Sequence, residues 1–316
     1  MASSHQALPP AAGGAPPEAA AARREQLAES GEVRVGSRLT ASTFLHNRQA
    51  LIGLSLVVGI ALLCFVGPFL YHTNQGTSGL NLLNQNLPPG AGHPLGTDQY
   101  GYDILGRLML GGQSSLELGF SVAIASTVIG TLYGALAGLA PRWIDAVMMR
   151  ILDVLLAVPA LVLLLILVNI FTPNLAMIIL LLTLLSWLGL SRLVRGDVLS
   201  LRTRDFVYAS RGMGSSTWRI LNRHMLRNAV GVVIVNATFT VSDAIYALSA
   251  LSFLGLGLPP PESDWGTMLS NGMTFLYDGY WWMVYPPAIM LITTVIAFNL
   301  IGDALRDSLD VRLQRR

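Results

Sequence analysis

Lysine is absent from this 316-residue chain, whose twenty basic residues are all arginine. A Walker-type loop, G-x-x-x-x-G-K-[ST], sets a lysine against the nucleotide phosphates. The chain therefore cannot carry a standard one, and any ATP that drives it must be bound by another polypeptide. Cysteine is nearly absent too. Cys64, the single one, excludes an internal disulfide framework and a cysteine-based metal site, and Leu63 before it is not the small residue that a lipoprotein cleavage site needs. Charge is scarce: 12% of residues are charged and 53% are hydrophobic, against roughly 25% charged in ordinary soluble domains. That balance points to the membrane. The five histidines, His5, His46, His72, His93 and His224, fall in no metal-ligand spacing. With no paired carboxylates and no nucleophile beside a base, the reading is of a non-enzyme with no catalytic residue, no metal and no cofactor.

What the chain does hold is long apolar runs. Residues 1–40, rich in Ala, Pro, Gly, Glu and Arg, lack apolar periodicity and read as a disordered tail. The pair Arg23-Arg24 is not followed by the apolar stretch that a twin-arginine signal requires. Six spans are expected at about 50–71, 115–140, 148–171, 175–191, 229–257 and 282–301, each near the roughly 20 apolar residues that a bilayer core demands. Six crossings put both termini on one side. Nineteen of the twenty arginines fall on that side and only Arg107 opposite, so the positive-inside rule makes it cytoplasmic. The expected organisation is a cytoplasmic tail over 1–40, a first transmembrane helix with its extracytoplasmic loop over 41–114, a core over 115–303 containing a cytoplasmic loop at 192–228, and a cytoplasmic tail over 304–316.

Within the spans, Gly130, Gly134 and Gly138 line one helix face, a spacing that lets two helix backbones approach closely. Pro159 should kink the third span. Asp153 is expected to pair locally with Arg150, one turn away. Asp243 has no such local partner and shares the fifth span with Asn236, Thr238, Thr240 and Ser242. Its bland explanation is a hydrogen bond to a neighbouring helix. Its functional one is that Asn236, Thr240 and Asp243 line a translocation path, or that Asp243 is the proton site of an ion-coupled secondary transporter.

The stretch YASRGMGSSTWRILNRHMLRNA (208–229) interrupts the apolar runs with five basic side chains and no acid. Gly214 can end a short helix and turn the chain. Ser215, Ser216 and Thr217 are candidate N-caps for a second helix over about 218–227, with Trp218, Leu221 and Met225 on one face. Arg219, Arg223 and His224 lie elsewhere around it. Such a helix either rests on lipid headgroups or docks in a protein groove.

Three stretches together resemble the inner-membrane permease subunits of the dipeptide, oligopeptide and nickel ABC importers. HPLGTDQYGYDILGRLMLGGQSSLELG (93–119) looks like the family's signature loop, with Gly96, Thr97, Asp98, Gly101, Asp103, Arg107 and Leu108 in register. The stretch 208–229 is similar to its cytoplasmic loop, with Tyr208-Ala209-Ser210 in place of Glu-Ala-Ala and Arg227 in place of a proline. LSFLGLGLPPPESDWGTMLSNG (251–272) matches closely, and the tail GDALRDSLDVRL (302–313) fits. The resemblance implies an all-α, polytopic protein with six transmembrane helices, an ABC importer type I transmembrane domain in the bacterial inner membrane. It implies as partners a second homologous permease, two ATP-binding ABC ATPase subunits and an extracytoplasmic substrate-binding protein, with the bilayer around them and no nucleic acid. The loop residues Tyr208, Ala209, Ser210, Gly214, Trp218, Arg219 and Arg223 would couple to the ATPases. The expected solute is a short peptide, with nickel or a glycoside as alternatives.

Overall fold

The computed structural model describes residue 44 and residues 46–71, 82–171, 173–221 and 225–314; the expectations for 1–40, His72, Arg223 and His224 fall outside them. Helices make up the architecture, in the order α1 (Arg48–Phe65), α2 (Gly67–Leu70), α3 (Ile104–Leu139), α4 (Arg142–Ala157), α5 (Ala160–Ile170), α6 (Leu175–Arg202), α7 (Asp205–Gly212), α8 (Thr217–Ile220), α9 (Leu226–Phe253), α10 (Trp265–Met273) and α11 (Tyr285–Gln314).

Short polar side chains set the starts. Asn47, Asp103, Asn174 and Asp264 each accept a hydrogen bond from a backbone N–H two or three residues on, satisfying a donor that the first helical turn leaves free. The cap at Asp103 moves the second span's helix well ahead of the expected start near 115, and the division at 114/115 falls inside it. The fourth span likewise runs to Arg202, into the segment expected to be loop.

The glycine face packs as its spacing suggests. A Cβ added at Gly130 would stand 2.9 Å from the Trp187 carbonyl oxygen and 3.1 Å from Leu190 Cβ. One at Gly134 would meet the Ser191 carbonyl and Val194, and one at Gly138 would meet Val198. The contacts climb both helices together, so α3 and α6 run parallel. Two parallel spans need a return between them. The connection, α4 and α5, is bent by 79° at the break containing Pro159, and by length and composition the pair serves as a broken span or a re-entrant loop. The parallel packing selects a crossing. With α1, α3, α6, α9 and the helix over 281–309, each long and apolar enough to span, the crossings number six.

Two ion pairs fix the bent pair. Asp145 Oδ1 and Oδ2 accept from Arg195 Nε and Nη2 at 2.5 and 2.7 Å, and Asp153 accepts from Arg192 Nη2. This corrects the expected local pair of Asp153 with Arg150. Moving from Asp145 to Asp153 covers about 12 Å of α4, while Arg192 and Arg195 are about 4.5 Å apart along α6, so α4 crosses α6 steeply and offers its acids to α6.

Helix α9 is central. Its Val241 and Ile245 pack on Gly119 of α3, its Phe239 and Gly231 meet Gly302 and Leu309 of α11, and Ala244, Leu248 and Leu251 join α6 side chains in a buried cluster. The order of the contacts makes α9 antiparallel to α11.

Candidate functional site

Three regions hold the residues singled out in the sequence. At the arginine-rich end, α7 and α8 are joined through Gly214, whose φ of +81° is a left-handed conformation that glycine adopts without strain. The Ser215 N–H closes the turn on the Ser210 carbonyl at 3.1 Å, and Ser216 Oγ accepts from Arg219 N at 3.4 Å, so Ser216 fills the capping role. Of the expected helix over 218–227, α8 covers Thr217–Ile220, Leu221 and Met225 have π-helical geometry, and α9 continues from Leu226, while residues 222–224 lie outside the described ones. Ile220, Leu221 and Met225 are buried with Val207 against Leu190, Val194 and Val198 of α6. Trp218, expected on the face of Leu221 and Met225, points out and is 57% exposed. Phe206, Tyr208 and Met213 are exposed beside it in sequence, as are Ala209 and Arg219, while Ser210 is buried. The segment is thus clamped to the bundle from beneath and shows an apolar, aromatic outer surface.

The second region is the side of α9 that α3, α6 and α11 leave open. At helical spacing it carries Asp243 and Tyr246, with Asn236 half-buried at its edge, whereas Phe239 packs on Gly302 of α11. Thr240 is buried and its hydroxyl donates to the Asn236 carbonyl at 2.9 Å, while Thr238 and Ser242 likewise bond back into their own helix. The hydroxyls therefore make no link to a neighbouring helix. Asp243 is exposed, as is Tyr246.

Sequence reasoning missed a comparable acid, Glu117. It is exposed on α3, about 20 Å below the start of that helix, close in depth to the contact of Gly119 with Ile245 and Val241. Placing the span's start at 115 made it look like an end residue. It projects from the side of α3 opposite Leu118, Gly119 and Val122, which face α9.

The third region caps the other end, and here the two motif blocks meet. Thr97 is fully buried: its hydroxyl donates to the Asn84 carbonyl at 2.5 Å and accepts from Leu87 N at 2.8 Å, and its carbonyl accepts from Trp282 Nε1 at 3.4 Å. Gly96, at φ +79°, lets Trp282 and the Leu87 carbonyl approach closer than any Cβ would permit. Asp98 accepts from Tyr100 N and Tyr102 N, each at 2.9 Å. Burial pushes its carboxyl above the usual range against the opposing pull of those N–H groups and of Arg107. The Arg107 guanidinium is 3.6 Å from Asp98 and lies over the Tyr102 ring, 5.0 Å from its centroid. Asp103, 2% exposed, caps α3 and also meets Tyr71 Oη at 3.0 Å and His93 Nδ1 at 2.9 Å. Burial and Asp103 together push the Tyr71 phenol up to about 12, which keeps it a donor. Trp265 Nε1 ties the second block to the first through the Leu108 carbonyl at 3.0 Å.

The motif residues of the cap are thus spent on one another. A cavity of about 20 Å³ lined by Asp98, Arg107 and Asn271 holds a single water at most, so the cap is a structural lock and not a solute pocket. Replacing Asp103 with alanine should cost about 2 kcal/mol, from the lost N-cap and the lost hydrogen bonds to Tyr71 and His93. It should lower the thermal midpoint of the purified protein, while Asp103→Asn should lose about half as much.

Residues 130–315 match the family described as the binding-protein-dependent transport system inner membrane component. Residues 38–89 match the N-terminal TM domain of oligopeptide transport permease C. The dipeptide transport system permease protein DppC of Bacillus subtilis (strain 168) is 39% identical over 85% of this chain and 83% of its own length. The oligopeptide transport system permease protein OppC of the same organism is 38% identical over 86% of this chain and 88% of its own.

Proposed function

The chain belongs to the family of binding-protein-dependent transport system inner membrane components, and from that premise we propose that it is one of two nonidentical permease subunits of an ATP-driven ABC importer for short peptides. The two relatives named above are permeases of dipeptide and oligopeptide transport systems. Nothing in that kinship supports nickel or a glycoside as cargo, or an ion-coupled mechanism through Asp243.

The observation that carries the reading is the open side of α9. A central helix enclosed by α3, α6 and α11 keeps one side free of the other described elements, and that side holds Asp243, with Asn236 half-buried and Thr240 buried at its edge. A second permease facing it would complete a polar path through the bilayer. Six crossings with nineteen of twenty arginines at one end make that end cytoplasmic, with both termini there. Residues 41–114 then supply the first span and cap, 115–303 the permease core with its coupling loop at 192–228, and 304–316 a cytoplasmic tail. Two ATPase subunits would meet the outer surface of α7 and α8, with Tyr208, Ala209, Ser210, Gly214, Trp218, Arg219 and Arg223 in the coupling segment. An extracytoplasmic binding protein would deliver solute at loops 72–114 and 258–280. Because Val207, Ile220, Leu221 and Met225 fasten the segment to α6, a push on Trp218 moves the bundle rather than a loose loop. Such a push favours one state only through contacts that differ between states.

Affinity purification through a tag on this chain tests the assembly. The proposal expects a second permease and an ATPase in the isolated complex; a chain that purifies without any ATPase from its native membrane contradicts it.

A further inference from the structure

We propose that Asp243 is a binding subsite for a positively charged side chain of the cargo, a lysine or arginine of the transported peptide. This rests on the peptide-permease reading above and names what its path recognises.

The argument begins with charge bookkeeping inside the bilayer. An ionisable side chain in a span is costly and persists where it meets a partner or a water-filled path. Asp145 and Asp153 meet arginines of α6. Asp243 does not: among the described residues its carboxylate has no hydrogen bond and no ion pair. Nor does any described residue place a cation within ion-pair distance of it. There is no lysine; Arg227 is about 24 Å away along α9, and Arg107 is about 18 Å above Gly119, at the level of Asp243. Among the described residues, then, nothing supplies its counter-charge.

Position narrows the source. Asp243 is on the one side of the central helix that no described element covers, with Thr240 and Asn236 one and two turns toward the arginine-rich end and Tyr246 one turn beyond it. A transient cation suits this setting. A carboxylate with an amide below and an aromatic ring above can hold an ammonium by charge, hydrogen bond and ring face, and it releases the group when the path opens to water, where the attraction weakens. Glu117, also exposed at similar depth, lies on the opposite side of the α3–α9 pair and supplies an internal control.

The test uses the intact complex in proteoliposomes with saturating binding protein, and three tripeptides: Ala-Lys-Ala, trialanine and Ala-Glu-Ala. For the wild type, maximal ATP-driven uptake should fall in that order, with about a tenfold span between the first and the last. In Asp243→Asn the three rates should come within about twofold of one another, Asp243→Glu should restore the order, and Glu117→Gln should leave it intact. A wild type without the order, an Asp243→Asn variant that keeps it, or a Glu117→Gln variant that also flattens it overturns the proposal. So does an Asp243→Asn chain that no longer co-purifies with its second permease, since Asp243 would then be an assembly ion pair. A wild-type complex that moves none of the three peptides refutes the peptide reading itself, and the subsite with it.

Discussion

Gly134→Leu is expected to destabilise the helix bundle strongly. A Cβ at this position would collide with the Ser191 carbonyl and stand 3.0 Å from Val194 Cβ and 3.1 Å from the Arg195 backbone nitrogen. These are mostly backbone atoms, which cannot swing aside as a side-chain tip can. Overpacking typically costs about 1–3 kcal/mol; with the whole α3–α6 seam forced apart, the loss should reach the top of that range. Gly189 on α6 is the matched control, because nothing lies within 4 Å of a Cβ there. Gly189→Leu should be neutral or gain up to about 0.8 kcal/mol from helix propensity. Thermal unfolding of the two purified variants, read beside the wild type, separates a packing seam from a general intolerance of bulk.

The second large effect falls on coupling and spares folding. Trp218 is 57% exposed and the buried cluster beneath it is built from Val207, Ile220, Leu221 and Met225. Trp218→Ala should therefore change stability by no more than about 0.5 kcal/mol. If the ring is the anchor by which an ATPase subunit grips the segment, its removal should cost about 2 kcal/mol or more of association, as buried aromatic anchors do, and ATP-driven uptake should fall by about thirtyfold. Gly214→Val attacks the same device through the backbone. At φ +81° a β-branched residue is a steric outlier, so the turn between α7 and α8 must rebuild and carry Trp218 with it. Uptake should drop with either variant while the spans remain folded, which detergent-solubilised circular dichroism would show.

The spans were legible because bilayer thickness imposes a length on apolar runs, and the seam because three glycines at every fourth residue mark one helix face. Spacing names a face but not its partner or direction. That α3 and α6 run parallel emerged only from which residues the glycines touch. Boundaries failed where polarity hid regular structure: Gly106, Arg107, Gly111 and Gln113 made the start of α3 look like loop, and that error concealed Glu117. The partner of Asp153 was misread because Arg150 is near in sequence, whereas Arg192 is near only because α4 crosses α6 steeply. Trp218 does not share the buried face of Leu221 and Met225, because i,i+3/i+4 spacing presumes a regular α-helix where Leu221 and Met225 have π-helical geometry. The cap was half visible. Its motif residues stood out, but their mutual burial, and the parts played by Tyr71, His93 and Trp282, depend on contacts between segments far apart in sequence.

Energy coupling is the claim on which the rest depends, and uptake by the purified complex in sealed proteoliposomes addresses it directly. Labelled trialanine should accumulate only when ATP is supplied to the face bearing Trp218, and an uncoupler that collapses the proton gradient should leave that accumulation unchanged. Uptake that continues without ATP and disappears with the uncoupler would contradict an ATP-driven permease and return Asp243 to the role of a proton site.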